Sequence, residues 1–527
     1  MKIRYVVLLL TLGLLIAPPA LHAQKKAVPP PANAPLQPAR TELVLDQYNS
    51  DVHVLPLPAD STVVLLVGRD QPLSSKTSYV FQQYDHALHL RQESRLEVPD
   101  EFNYVRMCAE GGTVYALFSS RTTPGRLWAA AYNGRLGQVR TQQYETRLSR
   151  EIVELKALDG RLFATVLLND QRHVTALLLD VATGQMQYLA SIYEPLPTQL
   201  TFVADAVSRR AEYVLSQTNG RKSRLLLKQL TDKGQLVSSE FVQAESERSL
   251  ITAQLTPPQD TTARLLMGTY SLRDPNYAQG LFATDLRPTG APGTKPPLRF
   301  YDFLRLKHFF DYLKPQRQAR LRQRTERRVA RSVPPLRWRY RLLLHELLPQ
   351  ADGGYVLVAE VYYPHYRYNS YNTLASPFNP SGLNSFGNSR VFDGYQTTHA
   401  LVCGFDRGGN LLWDNTFVVE NLRRRELEEA VRLQTLPDGR LVLAYLDEEK
   451  LRYKLVDRAE SSPNDHQVPI QTGLDPIGNT GPEHASDTWQ SDLLPWFGSR
   501  FVASGYQRVH VGRGPDREVF FLNSIVF

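Results

Sequence analysis

Cysteine is almost missing from this chain, with only Cys108 and Cys403 in 527 residues. A disulfide scaffold and a cysteine-rich zinc module both need more thiols than that. The two lie far apart in the sequence and are expected to be buried and unbridged. Long apolar runs are missing too. After the first 20 residues no stretch has the length that spans a bilayer as a helix, so no transmembrane helix is expected. Familiar catalytic spacings are also absent: there is no G-x-S-x-G elbow, no H-E-x-x-H, no phosphate-binding P-loop and no EF-hand loop. His345-Glu346 has no second histidine at the needed offset. His86 and His89 lie three apart on an expected outer strand and so face opposite sides. No metal and no cofactor are therefore expected.

A net basic charge is missing from most of the chain. The formal net charge is +8, yet the segment from Arg305 to Arg341 holds thirteen Lys and Arg against Asp311 and Glu326. Without that segment and the first few residues the chain is net acidic. The basic character belongs to one insertion, and a general nucleic-acid surface does not follow from it.

Hydrophobic residues make up 42% of the chain, so it can bury a core. Its 31 Gly, 35 Pro, 26 Tyr and 21 Phe favour many short strands and turns. Residues 1–23 have the three parts of an export signal: Lys2 and Arg4, the apolar stretch Val6 to Ile16, and Leu21-His22-Ala23 at the cut. A retained anchor is the alternative, but the stretch is short for one. The mature chain is expected to start at Gln24, with 24–40 as a Pro-rich tether. The expected address is the periplasm or the outside of the cell, including association with the outer membrane.

A repeat of about 50 residues dominates the remainder. Apolar strands start near 63, 114, 162, 213, 265, 355, 441 and 501. Asp-Gly or Gly-Gly often precedes them, as in Asp159-Gly160, Asp352-Gly353-Gly354 and Asp438-Gly439. Such pairs close tight hairpins. In the third unit four strands fit at 151–157, 161–168, 173–180 and 185–192. Four antiparallel strands per 50 residues describe one blade of a β-propeller. The expected fold is all-β, with about eight four-stranded blades over residues 41–527, or seven if the last unit is degenerate. The last unit shows only three strands, and Thr41–Asp46 is placed to supply the fourth and close the ring. A string of β-sandwiches would show Pro-rich linkers between units. An outer-membrane barrel would alternate apolar and polar residues, whereas Leu177-Leu178-Leu179 is apolar throughout.

Asp352-Gly353-Gly354-Tyr355-Val356-Leu357-Val358-Ala359, followed by Ala400 to Trp413 with Asp406-Arg407-Gly408-Gly409-Asn410, resembles a blade of secreted bacterial, Bacteroidota-like propeller repeat proteins of WD40-like architecture. The resemblance implies the fold and an exported, often surface-facing role. It carries no catalytic residues, because such blades share no chemistry.

Two insertions interrupt the repeat. In 300–338, Phe303, Leu306, Phe310 and Leu313 form one helical face, and Pro315 breaks it. Arg317, Arg320, Arg324, Arg327 and Arg331 then form a guanidinium stripe on a second helix. The expectation is a helical hairpin. Such a stripe repels itself, which suggests a use in binding carboxylate or phosphate groups, although a solvated or acid-paired helix would read the same way. The other insertion, 362–396, reads as a loop rich in Tyr, Asn and Ser. It holds Tyr362, Tyr363, Tyr366, Tyr368 and Tyr371, residues suited to sugar or peptide contacts. Strand alternation puts both insertions on one face. The expected function is a non-catalytic binding or scaffold module for a protein, glycan or anionic envelope component on that face. The alternative is a carbohydrate-active enzyme, a glycosidase or lyase, which would show clustered acidic groups with shifted pKa values at the channel.

Overall fold

The structure is a computed structural model describing residues 34–70, 77–146, 149–170, 173–193, 198–205, 209–219, 221–244, 247–256, 264–287, 297–331, 333, 336–369, 389–420, 422–460, 462–463, 466–472, 484–510 and 516–527. The expected export signal, most of the tether, Tyr371 and the middle of the 362–396 insertion lie outside the described residues.

The eight apolar strands expected from the repeat all form, and each is the second strand of its sheet. In blade three, Ser149–Leu158, Arg161–Leu168, Val174–Asp180 and Met186–Tyr188 pair in order as an antiparallel meander. We name such strands A to D. Seven sheets are four-stranded, and blade six carries two extra short strands. Second strands such as Thr62–Asp70 and Leu265–Ser271 bury both faces, because each blade is packed by a neighbour on either side. Outer strands such as Gln138–Glu145 keep polar, exposed faces.

Burial is organised by the gaps between blades. Eight hydrophobic clusters fill eight interfaces, the last joining Val502, Phe520 and Leu522 of blade eight to Val63, Leu65 and Val67 of blade one. The fold is therefore an eight-bladed β-propeller, and neither a chain of sandwiches nor a barrel. Cys108 and Cys403 are buried and unbridged, in blades two and six.

The closing strand is Leu36–Leu43, pairing antiparallel with Arg517–Val526 as strand D of blade eight. It begins inside the stretch read as tether. Gln37 and Arg40 explain the shift. Gln37 donates to the Pro469 carbonyl (2.8 Å), and Arg40 donates to Asn523 Oδ1 and Gln507 Oε1 (2.9 Å each), so this Pro-rich segment is bonded at its polar positions.

The helical hairpin is not formed. Phe303–Arg305 is a single 3-10 turn, capped by Asp302, whose carboxylate accepts from the Leu304 amide. Leu306 is already extended. The next amides are taken by a different element: Asp414 accepts from Lys307 (2.9 Å) and His308 (2.6 Å). The expected apolar residues still face inward, since Phe303, Leu306 and Phe310 are fully buried and Leu313 packs on the same cluster. Among the described residues the one α-helix, α1, spans Pro315–Ala330. Pro315 starts it, because the first helical residue needs no amide hydrogen.

The 362–396 insertion is not simply a loop. Strands B (Tyr355–Asn369) and C (Ser389–Phe405) of blade six continue beyond the ring as a paired arm, which reaches Asn369 opposite Ser389 across two register shifts, at Val361/Tyr362 and Pro364/Tyr366. Between them and strand D, the turn at Asp406–Asn410 shows why its motif is needed. Asp406 Oδ1 accepts from the amides of Gly408 and Asn410 (2.8 Å each), and Gly409 takes a φ of +78°.

Candidate functional site

Strand direction alternates within each blade, so B–C and D–A connections emerge on one face of the ring. The arm, α1 and the segment 419–431 between blades six and seven all leave on that face.

The arm carries an aromatic ladder. Tyr366 and Phe392 are opposite each other in register, with centroids 5.9 Å apart. Phe392 meets Tyr395 at 5.1 Å, and Tyr395 meets Tyr362 at 5.7 Å. Tyr366 and Phe392 are 45% and 46% exposed, large for aromatic rings on a paired strand. Arg423–Arg424 pairs with Tyr395 and Gln396 and holds the base of the arm. Phe392 and Tyr395 escaped the sequence reading, because only pairing across the hairpin places them beside the tyrosines. Tyr363 points to the other side. Burial, reinforced by Tyr312, pushes its phenol up to about 12. Tyr368 lies opposite Arg390 in the arm.

The same side of the arm seals the insertion. His399 stacks on Tyr312 at 4.0 Å, and the Tyr312 and Tyr340 hydroxyls lie 2.7 Å apart. Complete burial pushes His399 down to about 3, so it packs as a neutral ring.

Helix α1 turns Leu321, Arg322 and Thr325 inward. Arg322 donates to the Lys307 carbonyl (2.7 Å), and Thr325 is buried. Arg317, Arg320, Arg324, Arg327 and Arg331 lie on the opposite, exposed side. Among the described residues none of the five forms an ion pair with a carboxylate. Arg320, Arg324, Arg327 and Arg331 share a shallow cleft of about 280 Å3. The structure does not place the stripe on the ladder, and among the described residues no stripe arginine lies over a ladder ring.

Tyr362 forms the lip of a third feature, a cavity of about 700 Å3 on the ring axis. The strands A that line it bring charges inward: Arg106 from blade two and Glu154 with Lys156 from blade three. Strand A of blade six breaks after Leu344, and the break turns Glu346 into the cavity and His345 away from it. Glu346 reaches Lys156 at 2.6 Å, and Glu426, from the segment between blades six and seven, reaches Arg106 at 3.8 Å. Glu429 pairs with Arg432 at 3.2 Å. Below the cavity, Glu360 is 1% exposed and accepts from the amides of Ala430 (2.7 Å) and Val431 (2.8 Å), with His345 Nε2 at 2.9 Å. Burial alone would lower His345, but Glu429 and Glu360 together hold it above its usual value.

Glu154 stands apart. Burial raises its carboxyl to about 7 against the opposing pull of Lys156, and Glu346 adds to the rise. It forms no hydrogen bond or ion pair with any described residue. The sequence reading missed this cluster, although charged residues on a strand expected at the axis are its local signal. Among the described residues no group of three or more His, Cys, Asp and Glu is arranged to hold a metal ion. No helix among them is long and apolar enough to cross a membrane.

No family model matches the chain, and no curated protein matches it in sequence. Several solved structures are similar to the chain at low identity and low TM-score. The polysaccharide lyase Uly1 is 7% identical with a TM-score of 0.39, over 80% of this chain and 89% of that one. Prolyl oligopeptidase B from Galerina marginata is 8% identical with a TM-score of 0.40, over 87% of this chain and 56% of that one, so the chain spans about half its length. The β-propeller domain of the Trilobed protease from Pyrococcus furiosus is 8% identical with a TM-score of 0.34, over 79% and 94%. The activities of these neighbours are not carried over to this chain.

Proposed function

We propose that the chain is an exported, non-catalytic binding propeller, and that the face with the arm and α1 recognises a glycan-bearing envelope component. The observation that carries this is the ladder Tyr366–Phe392–Tyr395–Tyr362. Half-exposed rings held on a paired strand present flat apolar area at little entropic cost, which suits stacking against sugar rings. The unpaired stripe on α1 adds forks for carboxylate or phosphate substituents on an acidic glycan. Nucleic acid is not the expected partner, because the stripe is short and the rest of the ring is acidic.

A carbohydrate-active enzyme on the same ring is the second reading, and Glu154 favours it. Against it stands the pairing of the other cavity carboxylates, since Glu346, Glu428 and Glu429 each hold a cation. That leaves Glu154 without a free carboxylate partner for two-carboxylate chemistry.

A glycan array with the purified protein tests the proposal. Tyr366→Ala combined with Phe392→Ala is expected to weaken the bound glycan at least tenfold. Arg320, Arg324 and Arg327 changed to Gln should weaken acidic glycans alone and flatten their salt dependence. Unchanged binding in the aromatic double variant would overturn the arm as the site. Turnover of a polysaccharide, lost in Glu154→Gln, would replace the first reading with the second.

A further inference from the structure

Helix α1 holds its charges against their own repulsion. Arg317, Arg320, Arg324, Arg327 and Arg331 are all exposed, and at about 100° per residue they fall within one narrow arc of the helix. Among the described residues none of them pairs with a carboxylate, and like charges four apart destabilise a helix. The other side of α1 is fixed to the ring by Leu321, by buried Thr325 and by the Arg322 donation to the Lys307 carbonyl, so the stripe faces outward. The row runs the length of the helix, roughly 20 Å. A straight, fixed row of cations matches an extended array of anions better than a single one. A second observation concerns the neighbouring flank of α1. Leu304, Thr325 and Ala330, with Arg322 and Glu326, line a groove of about 430 Å3. Ala330 follows Arg327 by three positions, so the groove and the arginine cleft lie side by side on the helix. The apolar part of the groove is aliphatic. It offers a sugar no aromatic face, whereas an alkyl chain fits it. Phosphate beside alkyl chain is the pattern of an anionic lipid.

From the row and its flanking groove we infer that α1 is a docking surface for an anionic phospholipid bilayer, with its arginines on the lipid phosphates and the groove open to an alkyl chain. The inference rests on the proposal that this face recognises an envelope component, and it names the anionic part of that component as lipid. Arginine suits the task, since its fork takes two phosphate oxygens at once. The stripe itself is polar, so docking is peripheral, at the level of the headgroups. Outside the basic segment the chain is net acidic, so an anionic surface repels the rest of the ring and attracts the face with α1. Docking therefore orients the ring and brings the arm to glycans carried on the same surface. Each arginine near such a surface is worth roughly fivefold in partitioning, and the attraction fades beyond a Debye length.

Flotation of the whole protein with phosphatidylcholine vesicles, with and without about one-third phosphatidylglycerol, tests this. Binding is expected to the anionic vesicles only, and should fall at least tenfold between about 0.05 and about 0.5 M salt. Arg320, Arg324 and Arg327 changed together to Gln should lower partitioning at least thirtyfold, roughly the loss of three such contacts. Ala330→Gln keeps every charge and narrows the groove, and should lower it several-fold. All four positions are exposed, and thermal unfolding confirms that the variants fold. Soluble polyphosphate, which has no alkyl chain, should bind more weakly than the anionic vesicles and ignore Ala330→Gln. The vesicles carry no sugar, so a failure here leaves glycan binding by the arm standing, and a failure on the glycan array leaves vesicle binding standing. Absence of binding to anionic vesicles at low salt, or binding unmoved by either variant, would overturn the inference. Polyphosphate binding as tight as vesicle binding would overturn it in favour of a soluble polyanion.

Discussion

Glu154 shows how one residue can set a pH dependence. Its carboxyl titrates near 7 in the folded chain against an ordinary 4.5. The folded state thus favours the protonated form. The stability this represents is full below pH 4.5 and drains away as pH rises through about 7. Glu154→Gln removes the titration. At pH 8 the variant should be more stable than the parent by about 1–3 kcal/mol, the upper end reduced because the cavity is open to water. At pH 5 the difference should nearly vanish. Urea unfolding at the two pH values measures it, and an equal gap at both would refute the assignment. Nothing near Glu154 in the sequence announces this. Lys156 follows two residues later and would lower the carboxyl. Only burial at the axis, with Glu346 arriving from blade six, reverses the sign.

At the scale of elements, the basic insertion shows how far a pattern can be trusted. The spacing of Phe303, Leu306, Phe310 and Leu313 named the inward residues correctly and the backbone wrongly. Apolar spacing reports which side chains must be buried. It cannot report that the amides of Lys307 and His308 find a carboxylate on another blade, which removes the need for helical bonds. Asp414 is therefore the anchor of the insertion. Asp414→Ala would leave the buried His308 amide and the part-buried Lys307 amide without acceptors, the buried one worth roughly 1–3 kcal/mol. Hydrogen exchange should quicken over residues 303–330 while the second strands of blades one to four stay protected. Uniform loss of protection, or none, would count against a local anchor. The arm teaches the same lesson in reverse. Its tyrosines were legible as aromatic, but the ladder needs Phe392 and Tyr395 from the facing strand, which register alone supplies.

For the whole molecule, ring closure is the decisive feature. Leu36–Leu43 covers strand C of blade eight, whose edge would otherwise be open to pairing with another chain. Arg40 also lies over the Phe521 ring at 4.9 Å, and Glu42 pairs with Arg517 at 2.7 Å, so the strand is fastened by charge as well as by backbone bonds. Deleting residues 24–43 should lower the unfolding temperature by 10 °C or more and produce concentration-dependent aggregates, read by light scattering. A monomeric deletion variant of parental stability would show that closure is dispensable.

The sequence by itself determined the blade. Four strands, their tight turns and their two-sided burial are local properties, repeated within each 50 residues, so about eight blades and an N-terminal closing strand could be read without coordinates, though not that strand's start at Leu36. The tertiary structure alone decided the site. The charged groups at the axis come from different blades, and partners such as Lys156 and Glu346 are separated by whole blades in the chain. Their meeting depends on the curvature that closes the ring, a sum of many small inter-blade rotations that no single stretch of residues encodes.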